Sequence, residues 1–235
     1  MSPAQLQNIS TYIDILLRWN ARINLTAIRN PEEIVTRHFG ESLFAASHLF
    51  PPPHPVPSSV PPGVKDVDVD VDVDFAEARS PKAEARVADL GSGAGFPGIP
   101  IKLWAPQIAL TLIESNQKKV AFLREVARAL TLTNIDIFPG PAQSLTQDSI
   151  ANHAVGPSNS PPRTFDLVTL RAVERFHKIL PTAASLVVPA GRLALLIGAA
   201  QVDVVLSSLR AFNWQQPLPL PGSHSRVLLS GLRSQ

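Results

Sequence analysis

The chain has 235 residues, 45% of them hydrophobic, a formal net charge of +2 and no cysteine. That length suits one substantial core with a small appended element. The composition excludes disulfides and thiolate metal ligands, and no apolar run approaches the 18 residues of a membrane span. With no metal cluster in view and no basic-then-apolar leader at the N-terminus, a cytoplasmic globular protein is expected.

Ser2-Pro3 gives a helix start, with a capping hydroxyl and a proline at the first helical position. Ile9, Tyr12, Ile13, Leu16 and Leu17 follow at helical spacing, and Trp19-Asn20 close this helix. A second helix is predicted from Pro31-Glu32-Glu33, carrying Ile34, His38 and Leu43. Residues 1–50 therefore read as an N-terminal helical cap. Prolines crowd 51–62, and valine alternates with Asp66, Asp68, Asp70, Asp72 and Asp74. Like charges on one face resist pairing in a core, so 51–85 is read as an extended, flexible insertion. With those five acids set aside, the remainder is more basic than +2 suggests, which suits a polyanion or an ordinary basic surface.

From residue 86 to 235 the pattern alternates. Apolar runs at 86–90, 109–114, 135–138, 165–170 and 192–197 are separated by helical patterns at Lys118–Leu130, Glu174–Val187 and Val202–Phe212. Gly156 to Pro162 reads as a surface loop, and Ser225–Leu229 as a further edge or antiparallel strand. Short runs alternating with helices predict an α/β fold, a mainly parallel Rossmann-like sandwich covered on both faces. Ligands bind such sheets at the carboxyl ends of the strands, where Asp89, Glu114 and Arg171 converge.

The stretch Asp89-Leu90-Gly91-Ser92-Gly93-Ala94-Gly95-Phe96-Pro97-Gly98 reads as strand, glycine turn, helix. Such a turn is expected to present free amides at a helix N-terminus to a nucleotide-type cofactor. Gly93, Gly95 and Gly98 fit the dinucleotide spacing G-x-G-x-x-G, with Glu114 some 20 residues on. Asp89-x-Gly91-x-Gly93-x-Gly95 also fits the turn of S-adenosylmethionine (AdoMet) methyltransferases. A carboxylate at Asp89 repels a diphosphate and suits a sulfonium. The bland alternative is that Asp89 caps the following turn.

Three stretches together resemble the RsmG (GidB) family of bacterial 16S rRNA guanine-N7 methyltransferases. They are Trp19-Asn20 with Ile23-Asn24-Leu25-Thr26, Arg37-His38 and Glu41-Ser42-Leu43; residues 89–100, ending Gly-Phe-Pro-Gly-Ile-Pro; and Phe165-Asp166-Leu167-Val168-Thr169-Leu170-Arg171-Ala172. The resemblance implies a Rossmann-like class I AdoMet-dependent methyltransferase. Asp89, Gly91, Ser92, Gly93, Gly95 and Phe96 then hold the methionine and ribose parts of AdoMet, with Glu114 near the ribose. It also implies Lys118 in the active cleft and Arg171 beside both cofactor and RNA, the two catalytic candidates. His38 and Arg226 match further family positions. After the third strand the family carries Arg-Ala-Glu, where this chain has Pro141-Ala142-Gln143; Ala142 and Gln143 fall at the adenine. Glu41 stands for the family's Asp. The implied partner is 16S rRNA or the assembling small subunit, and a monomer is expected.

N7 of guanine has a lone pair and no proton, so its methylation needs positioning and no general base. A cation stacked on the purine opposes the reaction, so Arg171 is expected on phosphate or O6, and Arg171→Ala is expected to impair methyl transfer far more than stability. The alternatives are plainer. Arg171 pairs with Asp89 or Glu114, His38 satisfies a local hydrogen bond, Lys118-Lys119 is a solvated helix start, and Trp19 and Trp104 pack the cap onto the domain. Two rival functions remain, a dinucleotide-dependent oxidoreductase and a catalytically weakened RNA-binding or assembly module.

Overall fold

The computed structural model describes residues 1–51, 85–147, 163–171 and 176–235. The acidic repeat, the loop at Gly156–Pro162, Ala172 and the helix start at Glu174 lie outside these residues.

Helix α1 (Pro3–Asn20) opens on a capping box in which Ser2 and Gln5 satisfy each other's amides. Asn30 caps α2 (Pro31–Glu33), which runs on through π-helical turns at Ile34–Gly40 into α3 (Glu41–Leu49). Then β1 (Arg86–Leu90), α4 (Gly98–Trp104), β2 (Ala109–Ile113), α5 (Gln117–Ala129), β3 (Ile135–Phe138), α6 (Gln143–Gln147) and β4 (Phe165–Arg171) follow. The chain finishes with α7 (Phe176–Ser185), β5 (Val187–Gly198), α8 (Val202–Ser208), β6 (Phe212–Trp214), β7 (Leu218–Pro219) and β8 (Arg226–Arg233).

The sheet runs β3-β2-β1-β4-β5-β8-β6, with β7 also on β8. Strands β1 to β5 are parallel and β8 is antiparallel to β5. This is the expected Rossmann-like α/β sandwich. Two details differ from the sequence reading. The last strand lies inside the sheet, since β5 and β6 take its two sides. The helix predicted over Val202–Phe212 stops at Ser208, because Phe212 enters β6 opposite Arg233 and its ring stacks on Trp214 at 5.4 Å. Strand pairing overrides helical propensity there.

Alternate strand residues feed two cores. Val87, Leu110, Leu112 and Leu167 pack with α1, α4 and α5, whereas Ala88, Leu90, Val168 and Leu170 pack with α7 and α8. Burial on both faces explains the unbroken apolar runs. The N-terminal helices share the first of these cores, through Tyr12, Ile15, Leu16, Ile34 and Phe39. Trp19 donates to Glu125 in α5, and Trp104 donates to the Phe50 carbonyl. Both tryptophans join the cap to the sheet domain, as their plainer reading had it.

Candidate functional site

The strand order reverses beside β1, whose neighbours β2 and β4 lead to opposite edges, and ligands of open α/β sheets bind at such a reversal. The glycine turn leaves β1 at this point. Gly91, Gly93 and Gly95 hold φ of 66°, 56° and 84°, a region closed to most side chains. The amides of this turn are largely satisfied from within, contrary to the expected free cradle. Gly91 and Ser92 donate to the Ile113 carbonyl, Gly95 to Ser92, and Ile99 to Gly95. Gly93 donates to Glu114 Oε2 at 2.9 Å, and Gly98 to Asp89 Oδ2 at 3.2 Å.

Asp89 is fully buried. Its other oxygen accepts from the Thr169 hydroxyl at 2.9 Å, so it braces β1, β4 and the start of α4. Asp89 thus caps the turn from within, as the bland alternative has it. Strand alternation explains this: Asp89 shares the face of Val87, which the cap covers. Ser92 is also internal, donating to the Asp89 carbonyl and accepting from Ile113 N. Burial pushes the Asp89 carboxyl up from an ordinary 3.8 to about 7, against hydrogen bonds from Thr169, Gly98 and Ser92 that favour the anion. The native state then holds a proton that the unfolded chain has released, so the associated stability is full below about pH 4 and is lost as pH rises to about 7. Asp89→Asn removes this dependence. Its stability relative to wild type is expected to climb between pH 4 and 8 by the order of 2–4 kcal/mol. Urea unfolding across that range checks it, and a constant difference contradicts it.

Glu114 closes β2 with little exposure. It accepts from Gly93 N and, at 2.8 Å, from Asn116 N. A carboxylate offers about four acceptor positions, so it retains capacity for ligand hydroxyls. A Cβ built on Gly93 meets nothing nearer than a carbonyl at 3.7 Å, so the turn is open at this residue.

On the other side the cap packs against the turn. Tyr12 donates to the Ala94 carbonyl. Phe96 is buried, with the rings of Tyr12 and His38 nearly parallel to it at 5.3 and 4.7 Å and Phe39 edge-on at 5.1 Å. Phe96 is therefore packed between the cap and the glycine turn. The motif around Trp19-Asn20 also becomes intelligible. The buried Asn20 carboxamide accepts from Leu25 N and Thr26 N and donates to the Thr26 carbonyl. That turn sets Thr26 Oγ1 2.7 Å from His38 Nε2. His38 thus has the local bond expected of it. Sequence reasoning missed Tyr12, Thr26 and Thr169; a buried asparagine at a helix end was the available signal.

Arg171 pairs with neither Asp89 nor Glu114. It donates to Glu41 Oε2 at 3.1 Å and to the Arg37 carbonyl at 3.2 Å, and its Cζ lies 5.9 Å from the Phe96 centroid. Arg226 grips the other oxygen of Glu41. The Arg171 side chain is 7% exposed and that of Glu41 0%. This triad joins the ends of β4 and β8 to α3, so Arg171 is structural as well as adjacent to the glycine turn. Lys118 lies apart from it, on the β2 side. Asn116 caps α5 there, and exposed Lys118 borders a cavity of about 270 Å³ with Arg22, Asn24 and Lys119. The two catalytic candidates flank the turn and do not meet. Ala142 and Gln143 stand after β3 on the same carboxyl edge, with Ala142 buried.

The residues present fit AdoMet better than a dinucleotide. A diphosphate needs free amides or a cation; this turn has largely satisfied amides and no lysine or arginine in residues 89–98. Glu114, with little exposure, suits a ribose in either cofactor, so the discrimination rests on the turn's amides and its lack of a cation.

The GidB family profile, described as rRNA small subunit methyltransferase G, matches residues 5–51 and 73–217. The ribosomal RNA small subunit methyltransferase G of Desulfitobacterium hafniense (strain Y51) is 30% identical over 213 residues, covering 91% of this chain and 71% of that protein. Its namesake in Xanthomonas axonopodis pv. citri (strain 306) is 31% identical, covering 90% and 78%. Among solved structures, a Methanococcus jannaschii fibrillarin pre-rRNA processing protein superposes with a TM-score of 0.52 at 15% identity, covering 83% of this chain and 76% of that one. That likeness shows the fold alone, a Rossmann-like α/β sandwich. The sequence matches show more: the chain belongs to the rRNA small subunit methyltransferase G family.

Proposed function

We propose that this protein transfers a methyl group from AdoMet to N7 of a guanine in 16S rRNA, with the free rRNA or the assembling small subunit as substrate. The observation that carries the reading is the glycine turn, open at Gly93, bonded internally and closed by Glu114. Family membership supports the rRNA substrate. When bound, AdoMet supplies a methyl group on a sulfonium. Glu114 would accept from the ribose hydroxyls, the turn at Gly93 would let the ligand lie against the backbone, and Ala142 and Gln143 would border the adenine.

The purine nitrogen needs no base, since it carries a lone pair and no proton. The chain's work is to hold N7 in line and keep water out. Arg22, Lys118 and Lys119 around their cavity supply cations for the RNA backbone on the β2 side. On the β4 side, Glu41 neutralises the nearest guanidinium, Arg171, so less positive charge opposes the charge that develops on the purine. The purified protein, incubated with methyl-tritiated AdoMet and small subunits from a strain lacking the gene, is expected to place label in 7-methylguanosine after nuclease digestion. Label in another nucleoside, or none, contradicts the proposal.

A further inference from the structure

Two buried polar atoms beside the glycine turn, His38 Nδ1 and Arg171 Nε, have no hydrogen-bond partner among the described residues. Both belong to side chains packed around Phe96, the His38 ring at 4.7 Å from its centroid and Arg171 Cζ at 5.9 Å. An unsatisfied buried polar atom is costly, and two beside one residue of a ligand-binding turn ask for a shared explanation.

The hydrogen-bond pattern favours one tautomer of His38. Thr26 Oγ1 accepts from Ile28 N at 3.1 Å and lies 2.7 Å from His38 Nε2. Its own proton has no other acceptor among the described residues, so the hydroxyl donates to Nε2. The ring proton is then on Nδ1, which makes the unpartnered atom a donor. Burial, with Arg171, Arg37 and Arg226 nearby, lowers the His38 pKa to about 3, so the ring is neutral. Arg171 carries a charge that Glu41 meets. Nδ1–H and Nε–H thus offer two donors with little unbalanced charge.

We propose that His38 Nδ1–H and Arg171 Nε–H form a two-donor seat for O6 of the target guanine. This rests on the guanine-N7 reading above. O6 and N7 share one edge of the base, so seating O6 also aims N7. Adenine has an equally accessible N7 but presents an amino donor where guanine presents O6. Two donors would oppose that group, so the seat selects guanine over adenine by attraction and repulsion together. A carboxylate, such as that of the methionine moiety, fits less well because Glu41 already supplies the anion for Arg171.

The test uses small subunits reconstituted with guanine or 2-aminopurine at the position methylated in the assay above; 2-aminopurine keeps N7 and lacks O6. The wild-type protein is expected to prefer guanine by about 10- to 100-fold in kcat/KM. His38→Ala is expected to reduce that preference at least fivefold, Thr26→Val to reduce it in part, and His38→Asn, which keeps a side-chain N–H, to restore most of it. Calorimetric AdoMet affinity is expected to stay within about twofold throughout, and unfolding midpoints report folding. An unchanged preference in His38→Ala overturns the seat. So does a fall in AdoMet affinity that matches the fall in activity, which would place the accepted oxygen on the methyl donor. A wild-type protein that makes no 7-methylguanosine refutes the underlying function instead of the seat alone.

Discussion

Replacing Glu41 with alanine is expected to destabilise the protein by about 3–5 kcal/mol, a large share of the stability of a typical domain. The carboxylate is buried and holds two guanidiniums at once, Arg171 from β4 and Arg226 from β8. Its removal strands one cation that is 7% exposed and another that is 23% exposed. Glu41→Gln keeps the shape and loses the charge, so it is expected to recover only part of the loss. Arg171→Ala is expected to be milder than Glu41→Ala, because Arg226 still pairs with the carboxylate. It is nonetheless expected to cost some stability as well as methyl transfer. Urea denaturation of the three variants gives the order, and a loss below about 1 kcal/mol for Glu41→Ala contradicts it.

Gly95→Ala is expected to have the second large effect. A Cβ there comes within 2.5 Å of Tyr12 Oη and 2.7 Å of Ile99 Cδ1, on a backbone with φ of 84°. Tyr12 is buried and its hydroxyl is tied to the Ala94 carbonyl, so it cannot yield easily. Overpacking and backbone strain together are worth about 2–4 kcal/mol, and relief requires the turn to move. Gly93→Ala differs in kind. It meets the same left-handed backbone cost, roughly 1 kcal/mol, but no clash. Gly95→Ala should therefore lose both stability and AdoMet affinity, whereas Gly93→Ala should lose affinity with little change in stability. Thermal unfolding with and without AdoMet separates the two, and equal destabilisation contradicts the assignment.

The fold was legible because its signals are local. Apolar runs, the Ser2 cap and the glycine spacing each depend on a few neighbouring residues, and they placed β1 to β4 within a residue or so of their observed bounds. The site was legible only in part. Asp89, Ser92 and Phe96, which the resemblance places at the cofactor, are all buried, because what lies beneath the turn is the cap and β4, distant in sequence. Strand alternation alone could have shown that Asp89 shares the face of Val87. The pairing of Arg171 with Glu41 spans 130 residues and no local pattern announces it. The positions of Glu114 at a strand end and Gly93 in the turn were legible because both are local properties.

The glycine turn suits a cationic methyl donor and offers a diphosphate neither a cation nor a set of free amides. Calorimetric titration of the purified protein with AdoMet and, separately, with NAD tests it most directly. The account predicts saturable one-to-one binding of AdoMet, weakened in Gly95→Ala, and no binding of NAD. Saturable NAD binding with none for AdoMet would contradict it.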